Sequence, residues 1–383
     1  MKCHDNARPT FIPNRRQFLR SAGASALGVA AGCGQNASNA PGQGNFRGQT
    51  ITVFVYDGLD AIFQKHFVEP FEAQTGAKVI LDAGWWDAIG KLKASPKGQP
   101  VYDLVLTDAT QGYPAIKSGM FRQINFDNVP NHRALAPVVL DNWVAREHYG
   151  ITFHESAMSL IWDWRQLGFE PTGWGDLLRD ELKGKLSLYD SFYMSLYTFA
   201  CMNVAAANKP GKATQAINQD LGGVLEFAKR ESNRLRLWWS TGSKMIQDLR
   251  QGNFAAGNAH SVAILQNIGE KPDEIGFVTP DADRAYVQLM WVIPTDTPNA
   301  TLAEAAIDFL LRKDVQAAFA RRGAGTSHVE AAKEAAAENP TWAKTYPSTD
   351  EQFRKMKYFP YDAYFKDWDR IKNVWEKEIL RKT

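Results

Sequence analysis

The order of elements in this chain is set by residues 51–84, which read ITVFVYDGLDAIFQKHFVEPFEAQTGAKVILDAG. Residues 51–56 are β-branched and aromatic, which is typical of a strand buried on both faces of a parallel sheet. Residues 60–74 place apolar side chains at helical spacing, and Gly76 marks the end of that predicted helix. A second apolar run at 77–84 predicts the next strand, so the order is strand, helix, strand.

The same rhythm continues beyond this unit. DLVLTD at 103–108 is a third predicted strand, and the repeated order indicates a right-handed parallel α/β unit. Two strand-like runs, YGITF and SLIWD, lie within 149–163, and we interpret them as the crossing into a second lobe. The α/β pattern resumes in that lobe at 184–190, 236–241, 255–265 and 275–294, and an amphipathic helix is predicted at 303–319.

Composition limits the classes of protein to consider. The chain has 383 residues, of which 44% are hydrophobic and 22% charged, enough for two packed domains. The formal charge of +2 is concentrated in the first 32 residues, so the remainder is slightly acidic and offers no basic face for nucleic acid. No run after residue 35 approaches the ~20 apolar residues of a membrane-spanning helix.

The N-terminus has the layout of an export signal. NRRQFLR at 14–20 precedes a weakly apolar run at 21–32, and the paired arginines are similar to a twin-arginine signal. Ala30-Ala31-Gly32-Cys33 resembles a lipobox, so we predict a leader at 1–33 with Cys33 as the lipidated residue; the alternative is ordinary cleavage nearby. The Gly-, Asn- and Gln-rich residues 34–49 are predicted to be a flexible tether to the membrane.

The sequence lacks the motifs of common enzyme and metal sites. It contains no HExxH, GxxxxGK[ST], GxSxG or CxxC, and its seven histidines are not at metal-ligand spacing. GAGTSH at 323–328 is glycine-rich without a lysine, which favours a loop over a phosphate site. We therefore expect no catalytic residues, no metal and no cofactor.

Seven segments, in this order, resemble the spermidine/putrescine type of the extracellular solute-binding family. They are VFVYDG, EPFEAQTGAKV, YDLVLTD, YGITF, GWGDLLRDELKGKLSLYD, LWWSTGSKMIQDLRQGNFAAGNAHS and AYVQLMWVIPTDTPNATLAEAAIDFLL, and together they cover roughly residues 50–330. The resemblance implies a type II periplasmic binding fold with two α/β lobes, each a mainly parallel sheet flanked by helices, joined by hinge strands. Lobe 1 would comprise 50–158 plus 286–315, and lobe 2 would comprise 159–285 plus 316–383.

The resemblance also implies a function and partners. The chain would be the periplasmic component of an ABC importer, a monomer that binds a small polyamine-like or other organic solute and passes it to a permease in the inner membrane. Two alternatives stay open: a sensor that reports the ligand to a receptor, and an exported cofactor enzyme, since twin-arginine signals often serve cofactor proteins.

Ligands of open α/β sheets lie beyond the carboxyl ends of the strands, so side chains just past predicted strand ends, and those of the returning strand at 285–294, are the candidate ligand contacts. The candidates are Tyr56, Asp57, Asp108, Tyr113, Asp190, Trp239, Asn258, Gln288 and Trp291. Each has a structural alternative: the tyrosine at 56 and the tryptophan at 291 could be core residues, and the three aspartates could cap helices or turns. Because side chains alternate along a strand, Trp239 and Trp238 should point in opposite directions, and we predict that Trp239 faces the cleft.

The charge of the ligand is the least determined property. In the polyamine-binding members of the family that this chain resembles, carboxylates bind the ammonium groups and aromatic rings pack around the methylene chain. Asp190 matches one of these carboxylate positions. Where those relatives carry an aspartate on the returning strand, this chain has Gln288-Leu289-Met290. A neutral residue there weakens the case for a doubly charged amine and leaves a mono-cation, a neutral solute or a zwitterion open.

Overall fold

The described part of the chain folds around ten strands that form one connected sheet. The structure, a computed structural model, describes residues 45–268 and 274–380; the predicted leader at 1–33 with Cys33, and most of the predicted tether, lie outside these residues. The strands are β1 Thr50–Tyr56, β2 Lys78–Gly84, β3 Leu104–Asp108, β4 Phe121–Arg122, β5 Ile151–Asp163, β6 Leu186–Tyr189, β7 Leu235–Trp239, β8 Ala256–His260, β9 Ile275–Val278 and β10 Tyr286–Pro294.

The strand order is β2-β1-β3-β10-β5-β8-β6-β7, with β4 also paired to β10 and β9 to β5. The first half holds the parallel pairs β1–β2 and β1–β3, and the second half holds the parallel pairs β6–β7 and β6–β8. Antiparallel pairs involving β5 and β10 lie between these halves. The strands predicted at 51–56, 77–84 and 103–108 are confirmed: β1 and β3 are mostly buried, whereas β2 is an edge strand in which only Val79 is buried.

Strand β5 joins the two halves, and here the sequence interpretation was wrong in detail. YGITF and SLIWD are not two strands but parts of one 13-residue strand, and all of its residues are buried. The polar segment His154-Glu155-Ser156 between them resembles a break in sequence, yet it stays extended because β10 pairs with it. Residues 151–157 pair with β10, and residues 158–163 pair with β8 and β9.

Helices cover the sheet. The α-helices are α1 Asp60–Phe63, α2 Glu69–Thr75, α3 Ala88–Lys93, α4 Ala109–Lys117, α5 Pro137–Leu140, α6 Trp143–Arg146, α7 Phe192–Ala206, α8 Ala213–Glu231, α9 Gly242–Arg250, α10 Ser261–Asn267, α11 Ala300–Leu310, α12 Lys313–Arg321, α13 Val329–Glu338, α14 Pro340–Thr345, α15 Asp350–Lys355, α16 Tyr361–Lys366 and α17 Trp368–Val374. Two π-helical turns, Gln64–Val68 and Trp375–Ile379, extend α1 and α17, and short 3-10 turns lie in the connections.

One helix prediction needs adjustment, whereas the α/β pattern at 255–265 and the helix end at Gly76 agree with the structure. The helix predicted at 303–319 is two helices, because the chain turns between α11 and α12 at Leu311 and Arg312. The segment 255–265 is strand β8 followed directly by α10. Gly76 ends α2 with φ of 73°, a left-handed conformation that glycine adopts without steric cost.

The loop at 323–328 packs into the interior against β5. Gly325 exchanges backbone hydrogen bonds with Glu155, its N–H donating to the Glu155 carbonyl at 2.9 Å. A Cβ atom on Gly325 would lie 2.6 Å from the ring of Tyr346 and 2.8 Å from that carbonyl, so only glycine fits. The prediction of a loop for GAGTSH agrees with this position.

The side chain of Glu155 is buried on the face of β5 opposite to His154 and Ser156. It accepts hydrogen bonds from the Ser327 hydroxyl and, at 3.4 Å, from the Tyr358 hydroxyl. No salt-bridge partner for it is present among the described residues. Burial raises the pKa of Glu155 to about 7, because no neighbouring cation compensates the loss of hydration.

This carboxyl should make stability depend on pH. Between pH 4.5 and 7 the unfolded chain ionises Glu155 while the folded protein keeps it protonated, so the free energy of unfolding falls as pH rises and levels off above pH 7. The expected loss is on the order of 3 kcal/mol. Glu155→Gln should remove this slope in urea titrations between pH 5 and 8. The exposed Glu181→Gln serves as control, and an unchanged slope in Glu155→Gln would contradict the assignment.

Candidate functional site

A cleft of about 270 Å³ lies where the two halves of the sheet face each other. Its walls come from strand ends and helix starts of both halves. The side chains that carry its chemistry are Tyr56, Asp57, Trp85, Trp86 and Asp108 from the first half, His154 and Ser156 from β5, and Tyr189, Tyr193 and His260 from the second half. Aliphatic residues including Leu59, Val262, Val287 and Leu289 complete it.

Aromatic rings from both halves meet across the cleft. Trp85 and Trp86 directly follow β2; the ring of Trp85 lies edge-on to Tyr56, with centroids 5.7 Å apart. The ring of Trp86 stacks on Tyr193 of the second half, with centroids 5.9 Å apart and planes 17° from parallel. Trp86 adopts φ of 64°, and its carbonyl accepts from the Gln111 amide at 3.0 Å. A left-handed conformation at a bulky residue is strained. The stacking on Tyr193 and the hydrogen bond from Gln111 hold Trp86 in it.

Asp108 supplies a buried carboxylate to the first half of the cleft. It ends β3 and caps α4, where its Oδ1 accepts from the Thr110 N–H at 2.6 Å and the Gln111 N–H at 3.2 Å. Its Oδ2 accepts from the Tyr56 hydroxyl at 3.1 Å. Burial raises the pKa of Asp108, and these hydrogen bonds partly offset the shift because they favour the charged form.

Two histidines line the same cleft and are neutral near pH 7. Burial lowers the pKa of His154 to about 4, and burial also lowers the pKa of His260 to about 4. The Nε2 atom of His260 lies 3.3 Å from the Tyr193 hydroxyl. His154 is 1% exposed, and neither of its ring nitrogens has a hydrogen-bond partner in the part of the chain that the structure describes.

Strand register places Asp108 and His154 in one row across three neighbouring strands. Leu289 on β10 pairs with Asp108 of β3 on one side and with His154 of β5 on the other. Paired residues of neighbouring strands project to the same face, and each strand spacing is about 4.8 Å. The backbones of Asp108 and His154 are therefore about 10 Å apart on the cleft face.

The cleft carries negative charge only. Among the described residues that line it, Asp57 and Asp108 are acidic and there is no lysine or arginine. Asp57 is exposed to solvent, whereas Asp108 is 2% exposed. The arrangement can hold an organic cation between aromatic faces and one buried carboxylate, and it provides no cationic partner for an anionic group.

Three of the nine predicted ligand contacts lie in this cleft. Tyr56, Asp57 and Asp108 line it, and Asp108 is also a helix N-cap, which is the structural alternative stated for it; its contact with a ligand stays a prediction. Asp57 does not cap α1, because the N-cap position there is Leu59. The expectation that ligand contacts lie at or just past strand ends thus located three cleft residues in the first half of the sheet.

Trp239 and Asn258 lie one layer behind the cleft wall. Trp239 is fully buried and Trp238 is half-buried, so the two tryptophans alternate as predicted, but Trp239 does not line the cleft. Its ring stacks on the ring of Tyr189, a residue that does line the cleft, with centroids 4.2 Å apart. The Asn258 side chain accepts from the Tyr189 N–H and the Trp239 indole N–H and donates to Ser195 and Thr198, so its hydrogen-bonding capacity is filled.

Tyr113, Gln288 and Trp291 are interior residues of the first half. The Tyr113 hydroxyl donates to the Gln288 Oε1 at 2.9 Å, and the Gln288 amide donates to the Thr152 hydroxyl at 3.0 Å. Trp291 is fully buried against Phe63 and Phe153, which is the core alternative stated for it. None of the three lines the cleft, because on β10 it is Val287 and Leu289 that face it.

Asp190 faces a second cavity, of about 410 Å³, outside the main cleft. The two cavities share Trp85, Trp86 and Tyr189 as a common wall, and the outer one is closed by Trp368 and Trp375 near the C-terminus. The Trp375 indole N–H donates to the Asp190 carbonyl at 2.8 Å.

Several cleft residues escaped the sequence analysis. Trp85 and Trp86 follow the β2 strand end, so the same rule would have found them. Tyr193 and His154 carried no such signal, because one lies within a helix and the other in the middle of a strand. His260, at the end of β8, could have been found from its position after the Asn258 segment.

Residues 66–348 match the family described as bacterial extracellular solute-binding protein, and the chain belongs to this family. A solved ABC transporter protein from Clostridium perfringens is 17% identical, with 86% of this chain and 99% of that chain aligned and a TM-score of 0.66. The spermidine/putrescine substrate-binding protein PotD from Streptococcus pneumoniae is 15% identical, with 86% and 100% aligned and a TM-score of 0.65. The A. tumefaciens R10 binding protein AgtB, in complex with agropinic acid, is 18% identical, with 87% and 99% aligned and a TM-score of 0.68. No curated protein sequence matches significantly.

These similarities confirm the two-lobed periplasmic binding protein fold, and membership of the family makes the chain a solute-binding protein rather than an enzyme. Membership of this family implies a location outside the cytoplasm. Within residues 45–268 and 274–380, no helix is long and apolar enough to cross a membrane. The same residues contain no cluster of three or more His, Cys, Asp or Glu side chains suited to a metal ion.

Asn258 should support the fold rather than contact the ligand. Asn258→Ala leaves the Tyr189 N–H and the Ser195 and Thr198 hydroxyls without this partner, so we expect a loss of roughly 2–4 kcal/mol in the free energy of unfolding, measured in urea. The exposed Gln219→Ala should change it by less than about 0.5 kcal/mol. An Asn258→Ala protein of unchanged stability would contradict this role.

Proposed function

We propose that the protein is the periplasmic solute-binding component of an ABC importer and that its ligand is a compact organic cation with one ammonium group. The observation that carries this proposal is the cleft composition: aromatic rings from both lobes, the buried carboxylate of Asp108 and no lysine or arginine among the described lining residues. A cation that leaves water needs a counter-charge and favours the faces of aromatic rings.

A single charge fits better than two. Only Asp108 is a buried carboxylate in the cleft; Asp57 is exposed, where solvent screens its attraction. Gln288, at the position where polyamine-binding relatives carry an aspartate, is occupied by hydrogen bonds to Tyr113 and Thr152. A ligand carboxylate is disfavoured because it would approach Asp108 without a cationic partner.

The delivery step follows from the arrangement of the lobes. We propose lobe boundaries at 50–158 plus 286–315 and 159–285 plus 316–383, with β5 and β10 as hinge strands; this fits the change of pairing partners along β5 after residue 157. A ligand that contacts both walls would favour the closed form, and a permease in the inner membrane would receive it from a monomer. The export signal and a lipid anchor at Cys33 are parts of the same proposal.

A four-carbon series tests the ligand class. Butylamine should raise the melting temperature and bind in calorimetry, whereas γ-aminobutyrate, which adds a carboxylate, should bind at least about tenfold more weakly. Putrescine, which adds a second ammonium group, should gain nothing over butylamine. Asp108→Asn should weaken butylamine binding about tenfold to a hundredfold, with Asp57→Asn as the matched control. Tighter binding of γ-aminobutyrate, or equal binding by Asp108→Asn, would contradict the proposal.

Affinity for butylamine should fall as the pH is lowered from 7 to 4. Because burial raises the pKa of Asp108, its carboxylate becomes protonated earlier than an ordinary aspartate and loses its attraction for the cation. Near pH 4 the two cleft histidines also gain positive charge and repel it. Calorimetry across this range should show that, above pH 5, the affinity for butylamine changes less with pH in Asp108→Asn than in the natural protein. A pH-independent affinity in the natural protein would exclude Asp108 as the counter-charge.

A further inference from the structure

Among the described buried side chains that line the cleft, only His154 has polar atoms without a hydrogen-bond partner. It is 1% exposed and lines the cleft, and neither Nδ1 nor Nε2 has a hydrogen-bond partner within the described residues. The nearby Glu155 carbonyl is already bonded to the Gly325 N–H and does not meet hydrogen-bond geometry with the ring. Burying a polar group without a partner costs roughly 1–3 kcal/mol, so such a group in a binding cleft indicates a ligand contact.

The chemistry of the imidazole restricts that ligand group. The neutral ring has one N–H that donates and one nitrogen that accepts. Burial holds the pKa of His154 at about 4, so the ring stays neutral at ordinary pH. An alkylammonium group only donates, so it could bond only to the accepting nitrogen, and Asp108 is already its proposed partner; a hydroxyl both donates and accepts, so it can bond to whichever ring nitrogen faces the cleft. A carboxylate would accept from the N–H, but it has no cationic partner in this cleft.

We infer that the solute carries a hydroxyl group, in addition to its ammonium group, and that His154 binds this hydroxyl and selects the hydroxylated amine over its deoxy analogue. This inference rests on the proposed function. Leu289 pairs with Asp108 on one side and with His154 on the other, so the ammonium partner and the hydroxyl partner lie in one row with backbones about 10 Å apart. Both side chains extend from these backbone positions into the cleft, so the gap that remains between them is shorter than 10 Å. An amino alcohol of a few carbons bridges this gap.

The alternative interpretation of His154 is a purely structural one, in which its ring only packs against the core. Its ring lies 5.1 Å from the Phe153 ring centroid and 6.4 Å from that of Phe319, so it does contact the core. Packing alone would be served equally by leucine or phenylalanine, and it gives no reason for both ring nitrogens to remain unpaired. The two interpretations differ in ligand discrimination, which a structural role would not alter.

The test compares 4-aminobutan-1-ol with pentylamine, in which a methyl group replaces the hydroxyl, and choline with propyltrimethylammonium. Calorimetry on the natural protein should show at least about tenfold tighter binding of the hydroxylated member of at least one pair. His154→Leu should reduce this ratio to about one, and the ratio is the readout whatever the substitution does to the affinity for the deoxy analogue. His154→Asn, whose amide both donates and accepts, should restore part of the ratio.

The possible failures are distinct. If the amines bind but neither pair shows a preference for the hydroxyl, or if His154→Leu keeps that preference, the inference about His154 is overturned and the proposed function stands. If none of the four cations binds, both are overturned. Should His154→Leu fail to fold, nitrogen-15 spectra of the natural protein decide: the His154 ring signals should shift on adding 4-aminobutan-1-ol and not on adding pentylamine, and equal shifts would overturn the inference.

Discussion

Continuous pairing along β5 is the constraint on which the rest of the structure depends. One strand belongs to both halves of the sheet, so its backbone must stay extended while its partners change from β10 to β8 and β9. Side chains of a strand alternate between faces. His154 and Ser156 therefore line the cleft, and Glu155 between them is buried on the opposite face. The cleft and the packing behind it are set by one register.

That register explains why three polar residues lie inside a strand. The chain places His-Glu-Ser where a buried strand would ordinarily be apolar, and each residue meets a different need. Glu155 accepts hydrogen bonds from hydroxyl groups and its pKa is raised by burial, Ser156 shares a hydrogen bond with Ser261, and His154 is left for the ligand. Polar groups that do not serve the fold in a well-packed interior are candidates for function.

The positions of the aromatic rings in the cleft depend on residues that lie behind its wall. Tyr189 is fixed by stacking on Trp239, which is held by Asn258, so residues behind the wall determine the position of the ring that faces the ligand. On the other side, Trp85 and Trp86 divide the main cleft from an outer cavity that the C-terminal tryptophans close. The polar and aromatic side chains of the cleft therefore come from separate strands and helices of both halves rather than from one motif.

The sequence alone determined the α/β class, most strands and the family resemblance, because apolar runs and helical spacing are local patterns. It also pointed to Tyr56, Asp57 and Asp108 as cleft residues, since they lie at the ends of predicted strands or directly after them. It did not separate cleft residues from those one layer behind, such as Trp239 and Asn258, and it divided β5 in two. Only the tertiary structure decided these points, because the face that a side chain presents, and whether a neighbour already satisfies its hydrogen bonds, depend on strand register between segments far apart in the chain.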